Sequence, residues 1–198
     1  MRTDDRYEFV ERPPVEKTFE KMTRAEAELF FQWHMDCRYK RINNMCQVIH
    51  FEPDYSEESL ISLWKKVIQL YKCVKRGKVS QELFESVINC CSLYLGEVFI
   101  RNNKELYWNC HVGNDFFRNR PVIAGFLGEE NPIELEPMFM IWPKERNLVN
   151  GEENKKDLYD LYKSWEQYCP QKRGSTSNSA RSIVRQAINK AIEANKGK

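Results

Sequence analysis

The sequence contains no long apolar run. Its longest stretch without a charged residue extends from Ser86 to Gly96, far short of the roughly 18 apolar residues that a membrane-spanning helix needs. We therefore expect no membrane span. Residues 1–9 are rich in charged side chains and no apolar segment follows them, so neither a secretory signal nor a lipidation motif is predicted. The sequence accordingly predicts a cytoplasmic protein.

Glycine and histidine are scarce, with eight and three residues. The glycines are scattered, and neither G-x-G-x-x-G nor G-x-x-x-x-G-K-[ST] occurs, so no known phosphate-binding loop is present. A zinc site needs closely spaced ligand pairs such as C-x-x-C, whereas the only close cysteine pair here is Cys90-Cys91. We expect no metal site and no cofactor.

The seven cysteines lie mostly among apolar neighbours, and seven is an odd number. In a chain with no predicted secretion signal, this pattern indicates reduced thiols in a folded core rather than disulfides. The predicted buried thiols are Cys37, Cys46, Cys73, Cys90, Cys91, Cys110 and Cys169.

Charge is nearly balanced overall, at +2, with 41% hydrophobic residues, which excludes a disordered, collagenous or coiled-coil chain. Its distribution is uneven, because residues 171–198 hold seven basic residues and one acidic residue. Residues 171–179 lack large apolar side chains and are predicted to be a linker. Residues 180–198 are predicted to form a basic amphipathic C-terminal helix, whose apolar positions lie within 180–195. That helix could dock on the acidic body, pair with another helix or a second copy, or contact a membrane or nucleic acid.

Four helices are predicted in the body of the chain. Thr23 and Glu26 form a capping-box pattern, and Leu29, Phe30, Trp33 and Cys37 then share one helical face through about Asn44. A second helix is predicted from about Ser56 until Gly77. A third extends from Ser80 to a stop at Gly96, and a fourth covers 158–168 before Pro170.

Strand signals occupy the region between the third and fourth helices. A hairpin is predicted with strands at 97–101 and 105–112 around a turn at 102–104. A third strand is predicted at 121–126, and a fourth at either 133–135 or 138–142. The predicted fold class is α+β, with helices packed on one face of a small antiparallel β-sheet in a single domain over 15–170.

The sequence gives little support for a catalytic site. Cys110, His111 and Asp115 are the only thiol, base and acid close together in sequence, but neighbouring side chains in a strand point to opposite faces, so Cys110 and His111 cannot pair. We assign no catalytic residue; an enzyme using Cys110 or carboxylates of the sheet region is the alternative. Those carboxylates are Glu97, Glu105, Glu129, Glu130, Glu134 and Glu136.

Aromatic and arginine side chains alternate near the predicted hairpin, a composition that is typical of binding surfaces. Because the body outside 171–198 carries more acidic than basic residues, we expect no nucleic-acid partner and instead predict a protein partner. The predicted partner-binding residues are Trp108, Phe116, Phe117, Arg118 and Arg120.

Several short segments resemble an uncharacterised family of bacterial α+β proteins. They are 93–101 (LYLGEVFIR) with the later Trp108, 131–137 (NPIELEP), 21–27 (KMTRAEA) and 30–33 (FFQW). In this family a helix ends in a Tyr-Leu-Gly-Glu turn that leads into a hairpin. Some members resemble immunity proteins of bacterial toxin systems, which implies a toxin as the partner.

The sequence thus predicts a non-enzymatic, cytoplasmic protein-binding protein, and the resemblance implies an immunity-type inhibitor. Besides the enzyme, a further alternative is a structural protein that self-associates through 180–195.

Overall fold

The computed structural model describes residues 13–128 and 133–170. Within them, five helices accompany one three-stranded antiparallel sheet of order β1-β2-β3, so the predicted α+β class is confirmed. The elements are α1 (Arg24–Ile49), α2 (Ser59–Lys75), α3 (Gln81–Asn102), β1 (Tyr107–Cys110), β2 (Pro121–Phe126), β3 (Ile133–Leu135), α4 (Pro137–Val149) and α5 (Asp157–Glu166). The predicted linker at 171–179 and the helix at 180–198 lie outside the described residues.

Helix α1 begins at the predicted capping box. The Thr23 side chain accepts a hydrogen bond from the Glu26 backbone N–H, and the Glu26 carboxylate accepts one from the Thr23 backbone N–H at 2.9 Å. The predicted apolar face is wrong at Leu29, which is 54% exposed. The apolar side chains in the first turns of α1 pack on a small cluster that includes Cys110, so the apolar stripe there is narrow. The second half enters the main core, and for this reason the helix continues to Ile49.

Helix α3 is longer than predicted, and the predicted hairpin at 97–101 is wrong. The helix passes through Gly96 to Asn102 because Val98 and Phe99 continue its buried face. The Tyr-Leu-Gly-Glu segment is therefore helical and does not form a turn. By length and composition α3 could span a membrane, but most of its apolar window is buried inside the protein.

The actual hairpin joins β1 to β2, with Trp108 opposite Ile123 and Cys110 opposite Pro121. Gly125 has φ +101°, and the pairing of β2 with β3 shifts register between Ile123 and Phe126. This bulge turns both of those side chains toward the core. Of the two predicted fourth strands, 133–135 is confirmed as β3.

The alternative strand at 138–142 is wrong, because these residues belong to α4. Glu136 caps this helix by accepting a hydrogen bond from the Phe139 backbone N–H, and Pro137 occupies the first turn. Proline is favoured there, since its missing N–H would have no partner in the helix. Pro137 thus begins a helix, and Pro143 lies inside it.

The main core lies between α2, α3, α5 and the sheet. Its largest fully buried side chains include Trp64, Tyr94, Phe99, Phe126 and Tyr162. The ring centroid of Phe99 lies 4.6 Å from that of Tyr162 and 5.6 Å from that of Phe126, which connects α3 to α5 and β2.

Candidate functional site: an aromatic pocket beside the first helix

A pocket of about 380 Å³ opens between α1, α3, β1 and the start of α4. This volume is within the range of sites that hold small molecules. Its walls include five phenylalanine and tryptophan side chains, namely Phe19, Phe30, Trp33, Trp108 and Trp142. Charged and titratable side chains also line it, namely His34, Arg41, Arg120 and Glu136.

Trp108 is held in place by a buried carboxylate on α3. Its indole Nε1 donates to Glu97 Oε1 at 3.0 Å, and its six-membered ring packs directly on Gly96. Glu97 also accepts hydrogen bonds from Arg38 Nε at 3.1 Å and Tyr39 Oη at 2.9 Å. The carboxylate therefore joins α1, α3 and β1 and fixes the orientation of one pocket wall.

Arg120 connects the pocket to the segment before α1. Its Nη2 donates to Glu20 at 3.0 Å, and its guanidinium carbon lies 4.9 Å from the ring centroid of Phe19 and 5.3 Å from that of Phe116. The adjacent Asn119 donates from Nδ2 to the carbonyl oxygens of Phe19 and Met22, both at 2.9 Å. These bonds tie the preceding segment to the β1–β2 connection.

The five predicted partner-binding residues divide into two groups. Trp108 and Arg120 line the pocket. Phe116 is 41% exposed and Arg118 is exposed, both on the β1–β2 connection. Phe117 is half-buried, and its ring centroid lies 5.4 Å from that of Phe139. The structure thus places an aromatic cluster between the pocket and the exposed connection.

His34 and Arg41 face each other on the pocket wall contributed by α1. The His34 ring is stacked on Phe30 at 5.8 Å between centroids, and burial, with Arg41 and Arg38 nearby, lowers the pKa of His34 to about 3. His34 is therefore neutral near pH 7. Since a guanidinium can only donate, the 3.1 Å contact is a hydrogen bond from Arg41 Nη1 to His34 Nδ1.

Glu136 is the buried acid of the pocket. Burial raises the pKa of its carboxyl to about 7, although the Phe139 N–H and the charge of Arg120 act in the opposite direction. Burial therefore disfavours the ionised form of this side chain, which is the form that would neutralise Arg120.

Cys110 is not an activated nucleophile. It is buried, burial raises the pKa of its thiol, and its Sγ lies 4.0 Å from the Ala27 carbonyl oxygen. His111 instead contacts Glu134 through Nδ1 and Asp115 through Nε2, the latter at 3.0 Å. The local sequence Cys110-His111 therefore brings no thiol and base together.

The predicted thiols and carboxylates do not form a reactive centre in the described part of the chain. All seven cysteines are free, and five are buried, while Cys37 and Cys73 are half-buried. Glu97 belongs to α3, Glu105 is exposed, and residues 129–132 lie outside the description. Among the described residues, no group of His, Cys, Asp or Glu is arranged to hold a metal ion.

Sequence reasoning missed most of the pocket. No role was predicted for His34, Arg41 or Trp142. The sequence offered one signal for the pocket, in the stretch from Trp33 to Arg41. This part of a predicted helix combines aromatic residues, a histidine and arginines with few aliphatic side chains. Glu136 reaches the pocket because it caps α4. This helix was not predicted, since its segment contains Pro137 and Pro143.

No curated protein matches the chain, and no solved structure does either. A protein-family model described as Uncharacterised protein YwmA matches residues 18–166, most of the chain, so the chain belongs to this uncharacterised family.

Proposed function

We propose that this protein is a non-enzymatic protein-binding protein of the cytoplasm whose partner docks on β1 and the β1–β2 connection. The observation that carries the proposal is the concentration of exposed apolar side chains there. Tyr107 is 56% exposed, Val112 68% and Phe116 41%, and they are three of the six large hydrophobic residues exposed in the described chain. Exposed apolar patches commonly mark protein interfaces.

The geometry of this region suits an interface anchor. The Phe116 ring lies 5.2 Å from Phe139 and 5.5 Å from Phe117 between centroids, so its position is supported from below. A side chain that is already ordered loses little entropy on binding. Arg118, which is exposed and bonded to Asn114 at 2.9 Å, adds a cation suited to an acidic partner surface.

An immunity-type inhibitor of a bacterial toxin is the specific form of this proposal. It is supported by the resemblance of 93–101 and 131–137 to a family with such members. An inhibitor of this kind acts by covering its partner and needs no catalytic residue, which agrees with the buried, unactivated Cys110.

The test compares two double variants of the full-length chain as baits in extracts of the native host. Phe116→Ala with Arg118→Ala removes the proposed anchor, whereas Val149→Ala with Lys155→Ala removes an exposed apolar residue and a lysine elsewhere. We expect one stoichiometric protein to be captured by the wild type and by the control pair. Its affinity for the anchor variant should fall by at least about tenfold, since interface anchors contribute about 1–2 kcal/mol or more.

Equal affinity of the two double variants would refute the proposed docking region. For the toxin hypothesis, the captured protein is expressed alone and together with this chain. Rescue of growth by the wild type, and failed rescue by the anchor variant, is the expected result. A captured protein that is harmless to cells would contradict the immunity role.

A further inference from the structure

Arg41 is a cation without a carboxylate partner among the described residues. Its Nη1 contacts neutral His34, and its Nε N–H is buried and binds no acceptor. The neighbouring arginines are different, because Arg38 pairs with Glu97 and Arg120 with Glu20. Arg41 as a whole is half-buried, and a charge withdrawn from water in a protein is normally paired, since an isolated one loses hydration without compensation. An unpaired guanidinium in a pocket wall is therefore a feature that requires explanation.

The other pocket residues do not supply the missing negative charge. His34 is uncharged near pH 7. Glu136 accepts a hydrogen bond from the Phe139 N–H as the cap of α4, and the cation that acts on its carboxyl is Arg120 rather than Arg41. The pocket wall thus keeps a positive charge available to an occupant.

Hydrogen-bond donors also exceed acceptors around this pocket. Three lining side chains carry a buried N–H without an acceptor in the described chain: Trp33 at Nε1, Arg41 at Nε and Arg120 at Nε. An unsatisfied buried donor costs about 1–3 kcal/mol, so such groups are few in native proteins. Three of the five buried side-chain nitrogens without a partner in the described chain line this pocket. An occupant that brings acceptor oxygens would compensate for this excess.

The remaining walls of the pocket favour an organic anion over an inorganic one. Phe30, Trp33, Trp108 and Trp142 present aromatic surface, and the volume of about 380 Å³ is large enough for a small organic molecule. Aromatic walls favour a flat apolar body by stacking and burial.

We propose that this pocket binds a small organic carboxylate with an aromatic or apolar body, whose carboxylate pairs with Arg41 while its body lies among the aromatic walls. This ligand is separate from the protein partner proposed above. The site rests on Arg41 and the aromatic walls, whereas the partner site rests on Phe116 and Arg118.

The test is calorimetric titration of the full-length protein with a panel of carboxylates, led by phenylacetate and indole-3-acetate, each beside its neutral amide. Tryptophan fluorescence gives a second readout, because Trp33, Trp108 and Trp142 line the pocket. We expect the best carboxylate to bind at least about tenfold more tightly than its amide, as for a charge-assisted hydrogen bond. Inorganic phosphate should bind more weakly than that carboxylate.

Arg41→Met keeps an apolar stem but removes the charge, and it should abolish the preference for carboxylate over amide. Arg41→Lys keeps the charge and should retain part of this preference. Arg24→Met is the matched control, because it removes an exposed cation from the same helix, and its affinity should stay within about twofold of the wild type. Phe116→Ala with Arg118→Ala should bind the carboxylate normally, which separates this site from the partner site.

Three results would overturn the inference: no carboxylate of the panel binding below about 1 mM, an amide binding as tightly as its carboxylate, or unchanged carboxylate affinity in Arg41→Met. If Arg41→Met does not fold, the comparison of carboxylates with amides on the wild type and Arg41→Lys still decides. None of these results bears on capture of the protein partner.

Discussion

At the scale of single residues, Glu136 combines two roles that have opposite demands on its charge. As the cap of α4 its carboxyl accepts the Phe139 backbone N–H, which favours the ionised form, whereas its burial favours the neutral form. Burial dominates, because the pKa is raised from 4.5 to about 7. The ionised carboxylate is therefore a source of instability at neutral and higher pH.

Glu136→Gln should abolish the loss of stability that accompanies ionisation of Glu136 as pH rises. When the folded-state pKa of an acid is above its unfolded value, the folded state binds more protons between the two, so stability falls as pH rises from about 4.5 to about 7. Glutamine keeps an acceptor for the cap. Relative to the wild type, the variant should gain on the order of 3 kcal/mol in unfolding free energy between pH 4.5 and pH 8, measured by urea unfolding. A constant difference across this range would contradict the raised pKa.

Arg41 allows a second prediction at this scale, because its guanidinium has no carboxylate partner in the described chain. A residue retained for binding rather than for folding can be replaced without loss of stability. Arg41→Met should therefore have an unfolding free energy equal to the wild type or higher by up to about 1 kcal/mol. Urea unfolding at pH 7 is the measurement, and a loss above about 1 kcal/mol would assign Arg41 a structural role.

At the scale of elements, the contact between α3 and β1 depends on the absence of a side chain at Gly96. A Cβ there would lie 2.2 Å from Trp108 Cζ2, so the indole could not remain where it is. A glycine inside a helix normally costs about 0.5–1 kcal/mol relative to alanine. The absence of a side chain at Gly96 leaves the space that the Trp108 ring occupies.

Gly96→Ala should accordingly destabilise the protein, opposite to the usual effect of this substitution in a helix. We expect a loss of about 1–3 kcal/mol from the overpacked contact, together with a shift of the tryptophan emission as Trp108 moves. Glu85→Ala, at an exposed position of the same helix, is the control and should change stability by less than about 0.5 kcal/mol. Stabilisation by Gly96→Ala would show that Trp108 leaves room for a methyl group at position 96.

The β1–β2 connection holds the segment before α1 through one side chain. Asn119 is buried, has φ +65°, and donates two hydrogen bonds to the carbonyl oxygens of Phe19 and Met22. Asn119→Gly keeps the left-handed backbone but loses both bonds, so we expect about 1–3 kcal/mol of destabilisation. Proteolysis should show faster cleavage near Phe19. An unchanged cleavage pattern would mean that Glu20 and Arg120 suffice to hold this segment.

At the scale of the whole molecule, the core closes before the basic tail begins. The Leu127 backbone N–H donates to the Tyr168 carbonyl oxygen at 2.9 Å, and Cys169 is fully buried. A chain ending at residue 170 should therefore fold with an unfolding free energy within about 1 kcal/mol of the full chain. A larger loss on urea unfolding would indicate that residues 171–198 dock on the body.

The self-association alternative makes its own prediction for the same pair of chains. If residues 180–195 hold copies together, removal of 171–198 should reduce the solution mass to that of a monomer. Light scattering coupled to gel filtration measures this mass. An identical oligomeric state for the two chains would exclude that alternative.

The sequence alone determined the helix starts and the buried helix faces for which signals within a few residues are sufficient. Thr23 with Glu26 and Ser80 mark helix starts because capping acts within one turn, and the apolar spacing of α2 and α5 places their buried faces. Composition also pointed to Trp108 and Arg120, although it could not show that they line a pocket.

Only the tertiary structure decided whether Gly96 ends a helix or lies inside one. A glycine permits both, and the indole of Trp108, distant along the chain, favours the continuous helix. Pro137 was equally ambiguous until Glu136 was seen to cap α4. In the pocket, His34 and Arg41 of α1 are brought together with Glu136, the cap of α4. Such convergence depends on contacts far apart in sequence, and local propensity carries no information about them.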